Sequence, residues 1–164
     1  MRTSQPKRSI SNSFTSRFRH SAKTWRIGEF ERRVQLRVDK NRELKDQCVL
    51  LRDDPQHYSS YIQKLVRLQE NGGLFRNLEV GGGSIGICLA RLWKGEVGAV
   101  VLQPGLNEPW DLHPILGISQ RLEFIFVAID PTDGEMRPFS PLVLPKAINL
   151  DHETLIVHKS RWQS

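Results

Sequence analysis

Leu78-Glu79-Val80-Gly81-Gly82-Gly83-Ser84-Ile85-Gly86 is the stretch that decides the fold, because it reads in two ways. In one, a strand ends at Val80 and the glycines let backbone N–H groups approach a bound anion as the chain turns into a helix. In the other, the glycines are a surface loop between a helix and a buried strand. The first reading leads to a doubly wound parallel sheet, the second to an α+β domain.

Gly81, Gly83 and Gly86 satisfy the spacing G-x-G-x-x-G, and Glu79 stands just ahead of them. The segment resembles the first motif of Rossmann-type S-adenosylmethionine methyltransferases, with Glu79, Gly81 and Gly83 on positions of that motif. The resemblance implies a cofactor-binding enzyme with Glu79, Gly81, Gly83 and Gly86 as its cofactor residues. The sequence departs from the motif at Ile85, where the family has another glycine. It departs again after residues 97–102, where Gln103-Pro104 stand in place of the ribose-binding acid. Ile85 and Ile87 favour strand, and about 60 residues remain after Leu102 to complete a doubly wound sheet. The loop reading is therefore preferred, and Ile85 to Trp93 is expected as a buried strand.

Upstream lies the clearest helical pattern. Asp54 suits an N-cap and Pro55 the first helical position. Tyr58, Tyr61, Ile62, Leu65 and Leu68 form an apolar stripe, and Asn71-Gly72-Gly73 supplies a stop. Before it, residues 30–38 alternate apolar and polar, and residues 47–52 read as a second strand. Downstream, the runs 97–102, 122–129, 142–144 and 155–158 are strand-like and separated by Gly and Pro. Pro131-Thr132-Asp133-Gly134 has the residues of a tight turn, so a hairpin joins 122–129 to a strand near 136–144. Pro138, Pro141 and Pro145 confine that second strand to an edge or a loop. The fold class expected is α+β: a single domain, 29–164, with one main helix packed on a mostly antiparallel sheet.

The charge is distributed unevenly. Residues 1–28 hold seven Lys and Arg and no Asp or Glu, and the remaining residues hold 17 basic and 18 acidic ones. The net charge of +6 thus resides in a basic, Ser/Arg-rich N-terminal arm, expected to be mobile. Wound as a helix, the arm would place Ile10, Phe14, Phe18, Ala22 and Trp25 on one arc. Lys7, Arg8, Arg17, Arg19, Lys23 and Arg26 are candidates for phosphate contacts, and Phe14, Phe18 and Trp25 for stacking or insertion. The expected partners are nucleic acid or an anionic membrane through the arm, and a protein partner or self-association through the domain. An Arg-rich, Ser-rich, acid-free leader also suits an organelle transit peptide. Serines beside arginines make phosphorylation a plausible off-switch.

No residue set points to a reaction. Asp111 and His113 lie in a Pro-bounded segment suited to local hydrogen bonding. Asp151-His152-Glu153 reads as a solvated turn. Gly82-Gly83-Ser84-Ile85-Gly86 matches a nucleophile elbow on paper, which would need a strand, a turn and a helix around it. Trp93 and Trp110 are expected in the core or as partner anchors, and Trp162 as an exposed partner contact. Cys48 and Cys88 are expected as buried thiols in a reducing interior compartment, with no disulfide framework and no metal site. No cofactor is expected. The overall expectation is a non-enzymatic structural or interaction protein, laid out like viral matrix and coat proteins, located in cytoplasm or nucleus.

Overall fold

The computed structural model describes residues 25–27, 33–36, 38–107, 109–139 and 148–162. They form an α+β domain around a mixed six-stranded sheet. Its strands are β3 (Cys48–Leu51), β4 (Asn77–Val80), β5 (Ala99–Leu102), β7 (Phe124–Ile129), β8 (Met136–Phe139) and β10 (Glu153–His158). Their order across the sheet is β4-β3-β5-β10-β7-β8. β3 runs parallel to β4 and to β5, and the other three pairings are antiparallel. Two short ribbons, β1 (Trp25–Ile27) with β2 (Arg33–Gln35) and β6 (Gly105–Asn107) with β9 (Ile148–Leu150), stand apart from this sheet.

Both sheet faces are covered, so the central strands are apolar at every position rather than alternating. Leu50, Val100, Leu102, Phe126 and Ile156 face helices α2 (Ile85–Trp93) and α3 (Pro109–Arg121). Val49, Leu51, Val101, Val127 and Leu155 face Tyr58, Phe75 and helix α1 (Ser60–Leu65). Cys48 and Cys88 are buried and free, as expected.

The turn at 130–134 forms as its residues dictate. Gly134 N–H donates to the Asp130 carbonyl at 2.9 Å, and Gly134 has a φ of +76°. A Cβ on Gly134 would lie 2.2 Å from Cδ1 of Tyr61, so only glycine fits there. β8, with Pro138 in it, takes the sheet edge.

Three local expectations are corrected. Ile85 to Trp93 is a helix, not a strand: Ser84 caps it, and Ile85, Cys88, Leu89, Leu92 and Trp93 make the buried stripe of a 3.6-residue period. Pro109 to Arg121 is also a helix, with Pro109 in its first turn and Pro114 inside it. The single helix expected from Asp54 is interrupted. Asp54 caps only a 3-10 turn at Pro55–His57, and the chain restarts at Ser59, which caps α1. The break has a tertiary cause. Tyr58 is extended, and Ser59 donates its N–H (2.6 Å) and its hydroxyl (2.5 Å) to the buried carboxylate of Glu153. A continued helix would leave that carboxylate unpaired, at a cost of several kcal/mol.

Of the expected arm, Trp25 and Arg26 lie in β1, paired with β2 rather than wound as a helix. Lys7, Arg8, Phe14, Arg17, Phe18, Arg19 and Lys23 lie outside the described residues, as do the expected strand at 142–144 and the side chain of Trp110. Among the described residues, no helix is long and apolar enough to cross a membrane.

Glu123, at the α3–β7 junction, is held by Lys159 and by Lys40 (2.9 Å), and these two hold its carboxyl down at about 2. A carboxyl with a depressed pKa contributes stability above its unfolded value and loses it as the pH falls toward the folded one. Glu123→Gln is therefore expected to cost stability at neutral pH but not at pH 2, narrowing the gap to the wild type across that window. Thermal unfolding at several pH values measures it.

Candidate functional site

The strand directions put one end of the sheet to use. β3 and β5 are adjacent and parallel, yet the chain leaves them toward opposite faces. After β3 it passes to α1 on one face, and after β5 to α3 on the other. That divergence opens a crevice at the carboxyl ends of the strands, where open sheets of this kind bind ligands. Arg52 follows β3, Gly81 follows β4 and Gln103 follows β5, so all three stand on this rim. The end of β7 and the start of β10 reach the same edge, since Ile129 pairs with Glu153.

The glycine loop spans the rim between β4 and α2. Gly81 N–H donates to the Leu51 carbonyl at 2.8 Å, extending the parallel ladder by one residue. A Cβ there would come within 2.9 Å of the Leu50 side chain. Gly83 has a φ of +121°, a conformation that disfavours any side chain. Ser84 then caps α2, its hydroxyl accepting from Gly86 N–H at 3.2 Å. The positive end of the α2 dipole faces the rim.

Arg52 is the charged group beside this loop. Its Nη2 donates to the Gly83 carbonyl at 3.1 Å, while its Nε is buried and has no partner among the described residues. Other rim groups are committed. Asp53 accepts from Asp54 N–H (2.7 Å) and pairs with His57 (3.1 Å), which together lower its pKa. Gln103 donates to the His57 carbonyl at 3.3 Å. The Cys88 thiol points at the Gly81 carbonyl (3.9 Å), and burial raises its pKa, so it is no nucleophile.

The sequence candidates fare unevenly. Gly81, Gly83 and Gly86 do sit where a strand passes through a loop into a helix. Glu79 does not serve the loop: it pairs with Arg91 at 2.8 Å, and that pairing lowers its pKa. Ser84 is a helix cap. Asp111 and His113, two apart on α3, project to different sides of the helix and do not converge. Glu153 is buried against Ser59 rather than solvated. Trp93 is buried, its Nε1 donating to Ser119 Oγ at 3.0 Å. Trp162 is half-buried against the core, not an exposed anchor. Arg52 escaped the sequence reading, because a lone arginine after an apolar strand carries no local signal. Among the described residues, no group of three His, Cys, Asp or Glu could hold a metal ion.

No protein-family model matches the sequence, and no curated protein does. Solved structures share the fold. A structure of an IMPase/NADP phosphatase complexed with Mg2+ and phosphate aligns with a TM-score of 0.51 at 16% identity, over 86% of this chain and 47% of that one. SaIMPase-II bound to 2′AMP aligns at 0.53 and 14%, over 86% and 49%. Inositol monophosphatase II from Staphylococcus aureus aligns at 0.51 and 15%, over 80% and 44%. The chain thus spans less than half the length of each.

These neighbours overturn the expectation of a non-enzymatic structural protein with a viral matrix-like layout, and with it the RNA-binding and membrane-associated reading. The fold is one used by phosphatase enzymes. The S-adenosylmethionine alternative goes with it, whereas the transit-peptide alternative concerns a leader of which residues 1–24 lie outside the described residues. The physical reason is that a basic leader reports attraction for anions and nothing about the chemistry of the domain behind it.

Proposed function

We propose that this chain forms the substrate-holding part of a phosphate-monoester phosphatase, with the phosphate seated at the carboxyl rim of β3, β4 and β5. The observation that supports it is the fold shared over most of the chain with phosphatases, two of them holding phosphate or 2′AMP. The rim has matching chemistry. Arg52 offers a guanidinium with an uncommitted Nε, and the glycine loop brings backbone to the start of α2 without side chains in the way.

One of those neighbours holds Mg2+ beside its phosphate. The described residues do not fit such an ion: Asp53 and Glu153 are already bonded, and no three-carboxylate group assembles. The chain's own residues at the rim therefore bind and orient the ester. Carboxylates for a magnesium ion would come from outside the described residues. Two free, buried cysteines accord with a reducing interior compartment.

The test compares 2′-AMP with adenosine on the full chain by calorimetry. The phosphate should account for most of the affinity. Arg52→Met should weaken 2′-AMP about tenfold or more, since a charge-assisted hydrogen bond contributes about 1.5–3 kcal/mol. Equal binding of adenosine, or an Arg52→Met variant that folds and binds as tightly as the wild type, refutes the proposal.

A further inference from the structure

β3 ends at Leu51, and the next residue takes its main-chain partner from a side chain: the Arg52 N–H donates to the Tyr58 phenol oxygen at 3.2 Å. That phenol belongs to the core. Tyr58 is 4% exposed, and its ring lies in one cluster with Val49, Leu51, Ile62 and Phe75, on the sheet face opposite α2. The backbone around it is fixed on both sides. Tyr58 donates its N–H to the Pro55 carbonyl at 3.1 Å, and its own carbonyl accepts from Gln63 Nε2 at 2.9 Å. Gln103 holds the His57 carbonyl just before it, and Ser59 is bound to the Glu153 carboxylate just after it. The phenol oxygen thus stands on a support set by the core and by β10, independently of the glycine loop.

Arg52 is held at two points. Tyr58 fixes its main chain, and the Gly83 carbonyl accepts from its Nη2 at 3.1 Å. A guanidinium tied only at its tip would follow the glycine loop. The bond at the main chain sets the direction in which the side chain leaves β3. An unrestrained arginine gives up rotamer freedom when it binds an anion, and one already held gives up less, which raises affinity without a new contact.

We propose that Tyr58 is a positioning residue for the rim: its phenol oxygen fixes the main chain of Arg52 so that the guanidinium is presented at the glycine loop. The phenol itself touches no ligand. This inference rests on the phosphate seat for its ligand and goes beyond it by naming the residue that orders the seat. Burial raises the Tyr58 pKa, which keeps the phenol neutral, so the effect holds throughout the neutral pH range.

The test uses Tyr58→Phe, which keeps the ring in the core and removes only the oxygen. Tyr61→Phe is its control. That variant also removes a phenol, one that donates to the Thr132 carbonyl at 3.1 Å in the turn beyond β7, with β5 and β10 between that strand and β3. Calorimetry with 2′-AMP on the full chain should show Tyr58→Phe weaker by roughly three- to tenfold, the effect of one neutral hydrogen bond, and Tyr61→Phe unchanged. In a double-mutant cycle, Tyr58→Phe should add nothing to Arg52→Met, because the phenol acts only through the arginine. Without ligand, the Arg52 Nε–H resonance should shift and exchange faster with water in Tyr58→Phe, and stay unchanged in Tyr61→Phe. Wild-type affinity in Tyr58→Phe overturns the proposal. So does a weakening that persists undiminished in the Arg52→Met background, or one that Tyr61→Phe matches. If the wild type binds no 2′-AMP, the phosphate seat fails and the ligand-free resonance decides alone: unmoved by Tyr58→Phe, it overturns the positioning role as well.

Discussion

Arg161→Leu is expected to destabilise the domain by about 3 kcal/mol, lowering the midpoint of thermal unfolding by roughly 6–12 °C. The guanidinium is buried and fans out to three backbone carbonyls: Nε to Arg42 (3.1 Å), Nη1 to Gly98 (3.4 Å) and Nη2 to Asp39 (3.1 Å). Burial lowers the arginine's pKa, but a guanidinium remains charged. Its three acceptors come from the segment before β3 and the turn before β5, so one side chain near the end of the chain ties both to the sheet. Leucine fills part of the volume, leaves the buried Gly98 carbonyl without this donor at about 1–3 kcal/mol and removes the two part-buried bonds to Arg42 and Asp39, offset in part by the arginine desolvation no longer incurred. Arg161→Lys should recover less than half of the loss, since a single ammonium cannot reach three diverging carbonyls. A midpoint within about 2 °C of the wild type for Arg161→Leu would show that the fan contributes little.

Leu89→Ala is expected to cost about 2–5 kcal/mol, whereas Ile87→Ala should change stability by less than about 0.5 kcal/mol. Leu89 is fully buried in the middle of α2, against the sheet face that carries Leu50 and Val100. Ile87 is 65% exposed. In a strand these residues, two apart, would share one face and respond alike. In a helix they lie about 200° apart. The contrast therefore measures the secondary structure of this segment directly, by denaturant unfolding of two single variants. Two large losses of similar size would restore the strand reading. Leu89→Ala should also loosen the start of α2, and with it the rim.

The reasons for what the sequence did and did not reveal lie in particular residues. β3, β5 and β7 are uninterrupted apolar runs between polar or Gly/Pro boundaries, β10 holds a shorter one at Leu155, Ile156 and Val157, and the Asp130–Gly134 turn has chemistry that admits few alternatives. These were legible. α2 was hidden because Ile85, Gly86 and Ile87 oppose helix locally, although the stripe through Cys88, Leu89, Leu92 and Trp93 was already in the sequence. α3 was hidden by Pro114 and Gly117, although Leu112, Ile115, Leu116 and Ser119 all turn inward. The position of β10 between β5 and β7 was not legible at all, since no local pattern states that the last strand enters the middle of a sheet. The rim was half legible. The glycines stood out, but Arg52 joins them only through the parallel pairing of β3 and β4, and the charge asymmetry of the leader drew attention elsewhere.

The rim of β3, β4 and β5 is proposed as a phosphate seat. Its most direct test is an amide nitrogen–proton spectrum of the full chain titrated with 2′-AMP. Saturable shifts should concentrate on Arg52 and on Gly82 to Ile85, and the Arg52 Nε–H resonance should move as it gains an acceptor. Shifts that leave this loop and Arg52 unmoved, or that adenosine reproduces at the same concentrations, would contradict it.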